Sequence, residues 1–142
     1  MNFGKLLLCS LVSASMVFAA VSQPIPAGLI IGKGQVFEYE NEVIQTPFVT
    51  VEAGGTLVLR GSTLLIEGAS EGAGNIWVKP GATMQILNSS NVTSANAYNY
   101  TFWVNETAVF EMRDSFVSKC GRPAAGLDYQ KLGMLVEKTT IA

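Results

Sequence analysis

The sequence contains no histidine, and only 14% of its residues are charged. Without imidazole the chain can form neither a Ser-His-Asp triad nor a His-ligated metal site. The formal net charge is −2, and the nine basic residues form no cluster. A nucleic-acid-binding protein normally shows a basic patch, so the composition gives no reason to expect such a partner.

Cysteine is nearly absent as well, with Cys9 and Cys120 as the two examples. Cys9 lies in an N-terminal segment with the features of a secretory signal peptide. Residues 1–22 combine a basic start at Lys5, an apolar core from 6 to 20, and small residues before a cleavage point at Gln23. Cleavage would leave Cys120 alone, which excludes an internal disulfide, and would predict a secreted or cell-surface protein with a net charge of −3. The alternative is an uncleaved membrane anchor.

The dominant feature of the rest of the chain is a repeated segment. It begins at Val51, Val78 and Val104, at offsets of 27 and 26 residues, and such a period is typical of stacked repeats. Within each copy apolar residues recur at every second position, which predicts strands with one buried face. The aligned columns are Val51/Val78/Val104, Gly55/Ala82/Ala108, Leu57/Met84/Phe110, Leu59/Ile86/Met112 and Ser62/Ser89/Ser115.

The last of these columns predicts a ladder of hydroxyl groups at a corner of the fold. Its members are Ser62, Ser89 and Ser115. Gly61, Asn88 and Asp114 precede them, and all three residue types tolerate left-handed backbone, which supports the alignment.

These columns resemble the right-handed parallel β-helix of the pectate lyase-like superfamily. The resemblance implies an all-β solenoid of about three full coils, with partial coils at each end, spanning residues 31–142 after a short leader at 23–30. Ile31 fits the valine column of a first, incomplete coil, in which Glu38, Glu40 and Glu42 should face water as a polar cover. Residues 120–132 read as an insertion loop. Val136 starts a further coil, and we expect the chain to be the N-terminal part of a longer protein.

The same resemblance implies either a calcium site of clustered aspartates or a pair of catalytic aspartates. The chain contains only Asp114 and Asp128, and neither is placed in register with another carboxylate. The family's catalytic residues therefore find no matching positions, and the sequence leans against an enzyme. No metal ion or other cofactor is predicted.

Two features could carry a binding function. Four Asn-x-Ser/Thr sequons, at Asn88, Asn91, Asn99 and Asn105, are candidate glycosylation sites of the kind found on archaeal or eukaryotic surface glycoproteins. The alternative is that β-helix corners simply use these residue types, which applies most to Asn88.

The second feature is a pair of tryptophans in one outward column. Trp77 and Trp103 would stack on a solvent face beside Glu52, Lys79 and Asn105, and such an aromatic surface with polar edges suits sugar rings. Two alternatives stay open. The pair could only stabilise neighbouring strands, by about 1 kcal/mol, or could lie under the insertion loop. A register slip of one residue would reverse the face.

The sequence therefore predicts a structural or adhesive surface protein with a polysaccharide or surface glycan as its partner. The alternative is the non-catalytic N-terminal part of a polysaccharide lyase or glycoside hydrolase, which further coils with stacked Asp, Arg or His would reveal. A third hypothesis is end-to-end self-association through an exposed last coil. No membrane span is predicted once the signal peptide is cleaved.

Overall fold

The computed structural model of the protein describes residues 22–121 and the strand backbones at 134–136 and 140–141. Nearly all of the predicted signal peptide and most of the predicted insertion loop lie outside the described residues. The described part contains strands and turns and no helix that could cross a bilayer. In chain order the strands are β1 (Ser22–Pro24), β2 (Leu29–Ile31), β3 (Val36–Glu40), β4 (Val43–Thr46), β5 (Phe48–Val51), β6 (Thr56–Arg60), β7 (Thr63–Ile66), β8 (Asn75–Val78), β9 (Thr83–Leu87), β10 (Asn91–Ser94), β11 (Thr101–Val104), β12 (Val109–Met112), β13 (Phe116–Val117), β14 (Met134–Val136) and β15 (Thr140–Ile141).

Every third strand belongs to the same sheet, and all pairings are parallel. Sheet A has the order β1-β4-β7-β10-β13, sheet B has β2-β5-β8-β11-β14, and sheet C has β3-β6-β9-β12-β15. The chain passes through sheets A, B and C in turn and then begins the next coil. The protein is therefore an all-β parallel β-helix, which confirms the predicted fold class. The segment predicted as a leader contributes to this fold, because β1 pairs with β4.

The register of the sheets follows the predicted columns. Val51 pairs with Ile31 on one side and Val78 on the other, and Val104 pairs with Val78 and with Val136. The valine column is thus confirmed through the partial coils at both ends. Because strands in a sheet lie about 4.8 Å apart, equivalent residues of successive coils sit directly above one another.

The inward columns of the three sheets form one apolar interior. Leu57, Met84 and Phe110 stack in register in sheet C and are at most 2% exposed. Phe102 of sheet B meets the ring of Phe110 edge-on at 5.8 Å between centroids. Full burial of a side chain of this size contributes about 1.5–3 kcal/mol, so stacking stabilises what a single coil could not.

Two of the three glutamates predicted to face water in the first coil do so, in sheet C. Glu38 and Glu40 of β3 are exposed, while Phe37 and Tyr39 between them pack against the core. Glu42, also predicted to face water, is half-buried and accepts a hydrogen bond from the Gln23 side chain at 2.7 Å.

The corner between sheets C and A, here called the serine corner, contains the hydroxyl ladder in a corrected register. The backbone N–H of Ser62 donates to Ser90 Oγ, and that of Ser90 donates to Ser115 Oγ, both at 3.1 Å. The ladder is therefore Ser62, Ser90 and Ser115, and the assignment of Ser89 to it was wrong. The physical reason is one extra residue in this coil, where Asn88 and Ser89 are both left-handed (φ 58° and 63°).

The residues just before the ladder behave as predicted. Gly61, Asn88 and Asp114 have φ values of 57°, 58° and 48°, and Asn41 takes the same position in the first coil with φ 54°. Each coil therefore turns this corner through a left-handed residue.

The corner between sheets B and C, here called the glycine corner, is a β-turn in four successive coils. In each turn the fourth residue donates its N–H to the carbonyl oxygen of the first, and the third residue is left-handed, which corresponds to a type II turn. The third residues are Gly34, Gly54 and Gly81, each with φ 78°, and Thr107 with φ 63°. Thr107 is the exception, since a β-branched residue is strained in this region.

Candidate functional site: an indole pair on sheet B

The candidate site lies on the outward face of sheet B, where one column runs across successive strands. Ile30, Thr50, Trp77, Trp103 and Leu135 are consecutive partners in this column. Strand alternation directs Ile76 inward, at 0% exposure, and leaves Trp77 37% exposed. Trp103 is half-buried. Trp77 and Trp103 were thus correctly assigned to one outward column.

The two indole rings stack on each other across neighbouring coils. Their centroids are 5.6 Å apart and their planes differ by 11°. Because carbon atoms in contact lie about 3.5–4 Å apart, this centroid distance requires a sideways offset of roughly 4 Å. Offset stacking covers only part of each ring face. Part of the Trp77 side chain remains exposed to solvent.

Lys79 and Glu52 form a charged edge beside Trp77. Lys79 Nζ lies 4.8 Å from the centroid of the Trp77 ring and 2.8 Å from Glu52 Oε1. Both charged side chains are partly exposed, so solvent screens their attraction. A cation over an indole face contributes about 0.5–1 kcal/mol at an exposed site. The ion pair mainly holds the Lys79 ammonium over the ring.

Asn105 lies on the same side of the indole pair as Glu52 and Lys79, one residue after β11. Its Oδ1 accepts a hydrogen bond from the indole N–H of Trp77. Because an indole nitrogen can only donate, the amide oxygen of Asn105 must face Trp77. The side-chain amide is therefore oriented by the neighbouring coil.

Together these residues combine apolar ring surface with fixed polar groups. Glu52, Lys79 and Asn105 follow one another in the column next to the tryptophans. They offer a carboxylate, an ammonium and an amide within reach of a ligand lying on the rings. This set of groups is suited to packing against C–H groups and hydrogen bonding to hydroxyls, as a sugar ring requires.

The four sequons are found in different surroundings. Asn88 is exposed at the serine corner, Asn91 lies within β10, Asn99 precedes the buried Tyr100, and Asn105 opens a turn. They are therefore not brought together into one surface, and only Asn105 adjoins the indole pair.

The thiol, phenol and aspartate groups outside the indole pair form no catalytic arrangement among the described residues. Cys120 is a free thiol, and burial raises its pKa, so little thiolate forms at neutral pH. Burial, with a smaller contribution from Cys120, also raises the pKa of Tyr100. Asp114 is exposed at the serine corner, and Asp128 lies outside the described residues. Within residues 22–121 no three metal-ligating side chains cluster.

One residue of interest was missed at the level of sequence, namely Thr107. Its position in the aligned repeats is taken by Gly54 and Gly81, and that contrast was the available signal. Only the backbone angle shows that Thr107 adopts the conformation of these glycines.

Comparison with known proteins assigns the chain to no family. A scan of protein-family models found no match to the chain, and searches of curated proteins and of solved structures found none either. The function of the candidate site has to follow from its own geometry.

Proposed function

We propose that the protein is a secreted or cell-surface β-helix with a structural or adhesive role that binds carbohydrate through the indole pair. The observation that carries the proposal is the offset stack of Trp77 and Trp103 on an outward sheet face. The polar edge formed by Glu52, Lys79 and Asn105 supports it.

The mechanism is display on a rigid surface. β8 and β11 pair with each other and with further strands on both sides, so the rings sit on a backbone fixed by continuous ladders. A preorganised surface loses little conformational entropy when a ligand binds. Sugar C–H groups pack on the open parts of the indoles, while the flanking side chains bond to hydroxyls.

The parallel β-helix also supports the resemblance to the right-handed helices of the pectate lyase-like superfamily, which we include in the proposal. An N-terminal, non-catalytic part of a polysaccharide lyase or glycoside hydrolase would use the same surface. The two versions are separated by the complete reading frame. Further coils with stacked Asp, Arg or His on one face would favour the enzyme.

Tryptophan fluorescence tests the binding site directly, because Trp77 and Trp103 are the only two tryptophans in the chain. The protein would be produced in a host without N-glycosylation and titrated with soluble fragments of cellulose, chitin, xylan and pectin. We expect at least one of these to change the emission saturably. Trp77→Ala should weaken binding of that ligand about tenfold or more, since an aromatic contact of roughly 1.4 kcal/mol corresponds to this factor.

Tyr98→Ala is the matched control, because Tyr98 is an exposed aromatic residue (43%) in the loop between β10 and β11 and does not belong to the outward column of sheet B. Its removal should leave the affinity unchanged. The proposal fails if none of the four polysaccharides alters the emission, or if Trp77→Ala and Tyr98→Ala bind equally well.

A further inference from the structure

The sequon at Asn105 differs from the other three in its exposure. Ser90, the hydroxyl residue of the Asn88 sequon, is fully buried and bonded within the serine corner. Tyr100, the middle residue of the Asn99 sequon, is 1% exposed. A glycosylation acceptor belongs on a surface loop, and these two sequons have a buried residue in the folded chain.

The Asn91 sequon is built into a sheet. Asn91 pairs with Thr63 on one side and with Phe116 on the other, so it lies within a continuous ladder. Thr93 Oγ1 accepts a hydrogen bond from the Ser118 hydroxyl at 2.9 Å. This hydroxyl is already engaged in the fold.

The Asn105 sequon instead occupies an exposed turn. Asn105 is the first residue of the turn, which closes through the Ala108 N–H, and Glu106 and Thr107 are both exposed. It is thus the one described sequon whose second and third residues both face solvent.

Thr107 adds an energetic observation. It is left-handed where the three preceding coils use glycine, and a β-branched residue is destabilised in that conformation. Within the described part of the chain no hydrogen bond of its hydroxyl offsets the strain. Strain at one of several equivalent positions points to a role for the side chain beyond the turn, and the Thr107 hydroxyl completes the sequon.

The surroundings of Asn105 are suited to the attached sugar. Trp103 lies two positions earlier, roughly 7 Å away along the extended chain, on the same outward face. The amide oxygen of Asn105 is held by the Trp77 N–H, so the branch that carries Nδ2 has a defined direction. A sugar on Nδ2 would start beside an indole ring.

We propose that Asn105 carries an N-linked glycan whose first sugar packs on Trp103. This inference rests on the proposed function in one respect, since it treats the indole pair as a carbohydrate surface. It names the protein's own glycan as the carbohydrate that occupies this surface in the secreted protein.

The attachment requires a polyprenyl-diphosphate-linked oligosaccharide and the membrane transferase that uses it. The nitrogen Nδ2 of Asn105 forms a bond to the anomeric carbon of the first sugar. The bond from that carbon to the diphosphate oxygen breaks, the lipid diphosphate leaves, and one amide proton is released. No oxidation or reduction is involved.

The test uses the full chain secreted from a glycosylating host. Occupancy of each sequon is measured by glycopeptide mass spectrometry after enzymatic deglycosylation in ¹⁸O water. We expect Asn105 to be occupied at least severalfold more than Asn88, Asn91 or Asn99. Thr107→Val should abolish this occupancy, whereas Thr93→Val, the matched change in the Asn91 sequon, should not alter it.

Packing on Trp103 is tested by comparing thermal unfolding of the glycosylated chain with that of the same chain from a host without N-glycosylation, because enzymatic removal would convert Asn105 to Asp. The unglycosylated wild-type chain should have a Tm about 3 °C lower, from the size of one aromatic contact. The shift should disappear in Trp103→Ala and persist in Tyr98→Ala. Each variant is compared with its own unglycosylated form, so a general loss of stability cancels.

An unoccupied Asn105 overturns the proposal, and so does an equal Tm shift in the wild type and in Trp103→Ala. Neither result depends on the polysaccharide titration of the unglycosylated protein. If the polysaccharide titration fails while the Trp103-dependent Tm shift is found, polysaccharide binding is rejected and the Asn105 glycan is supported. If a polysaccharide binds but the Tm shift does not depend on Trp103, polysaccharide binding is supported and the packing of a glycan on Trp103 is rejected.

Discussion

The glycine corner and the serine corner solve the same problem with different chemistry. Both turn the chain through a left-handed residue in each coil. The glycine corner uses Gly34, Gly54 and Gly81, which have no side chain to strain. The serine corner accepts Asn41 and Asp114 at the equivalent point and adds a hydroxyl ladder beside it.

The difference lies in how the backbone N–H groups are satisfied. At the glycine corner the backbone bonds to itself, both within each turn and from coil to coil, as in the bond from Gly54 N–H to the Gly81 carbonyl oxygen at 2.9 Å. At the serine corner the N–H groups of Ser62 and Ser90 depend on a side chain of the next coil. One corner therefore depends on backbone freedom and the other on a particular side chain.

The largest effect should come from breaking the serine ladder. Ser90→Ala removes the acceptor of the buried Ser62 N–H and should lower the free energy of unfolding by about 2 kcal/mol. Urea denaturation measures the change. Ser89→Ala, at the exposed neighbouring serine, should stay within about 0.5 kcal/mol. Equal losses in both variants would contradict the corrected register.

The second prediction concerns the requirement for glycine at the glycine corner. Gly81→Thr should destabilise the protein by about 0.5–1 kcal/mol, since the cost of a β-branched residue in left-handed backbone is partly offset by the lower entropy of the unfolded chain. A Cβ at Gly81 would meet only Ala53, at 3.6 Å, so steric overlap adds little. Urea denaturation again gives the value. Ala53→Thr, at the exposed second position of a turn, should be nearly neutral, and a neutral Gly81→Thr would refute the strain.

The reciprocal change should have the opposite sign and a similar size. Thr107→Gly relieves the left-handed strain but adds entropy to the unfolded chain. The balance predicts a gain of roughly 0.5–1 kcal/mol for the unglycosylated protein, seen as a higher urea midpoint. A loss of stability would mean that Thr107 is accommodated without strain.

The smallest effect should follow deletion of Ser89. This residue is exposed and left-handed, and its removal gives the corner the length found at Gly61 and Ser62. The change in unfolding free energy should stay within about 0.5 kcal/mol, because lost strain offsets one lost exposed hydrogen bond. Deletion of Ser62 is the contrasting variant. It removes a ladder residue and should lower the free energy of unfolding by about 2 kcal/mol, as Ser90→Ala does.

The two corners also differ in how far they could be predicted. The left-handed positions at Gly61, Asn88 and Asp114 follow from residue type and alignment. The ladder residue of the second coil could not be predicted in this way. Ser89 and Ser90 are adjacent, and both fit a repeat whose length varies by one residue between coils. Hydrogen bonds to the neighbouring coils select Ser90.

At the candidate site, too, the sequence predicts the position of the residues but not their contacts. The repeat places Trp77 and Trp103 in one column, and alternation directs them outward. The overlap of their rings and the bond from Trp77 to Asn105 depend on side-chain torsions and on the lateral offset of neighbouring strands. Neither the side-chain torsions nor the strand offset can be predicted from the repeat pattern of the sequence.

The sequence by itself determined the all-β class, the stacking of coils and most columns, because a strand with period two and a repeat near 27 residues can bury its apolar face only by stacking. Tertiary structure alone decided the serine register, the strained conformation of Thr107 and the meeting of Asn105 with the indole pair. These features arise between coils, where residues more than 20 positions apart come into contact and single insertions shift their partners.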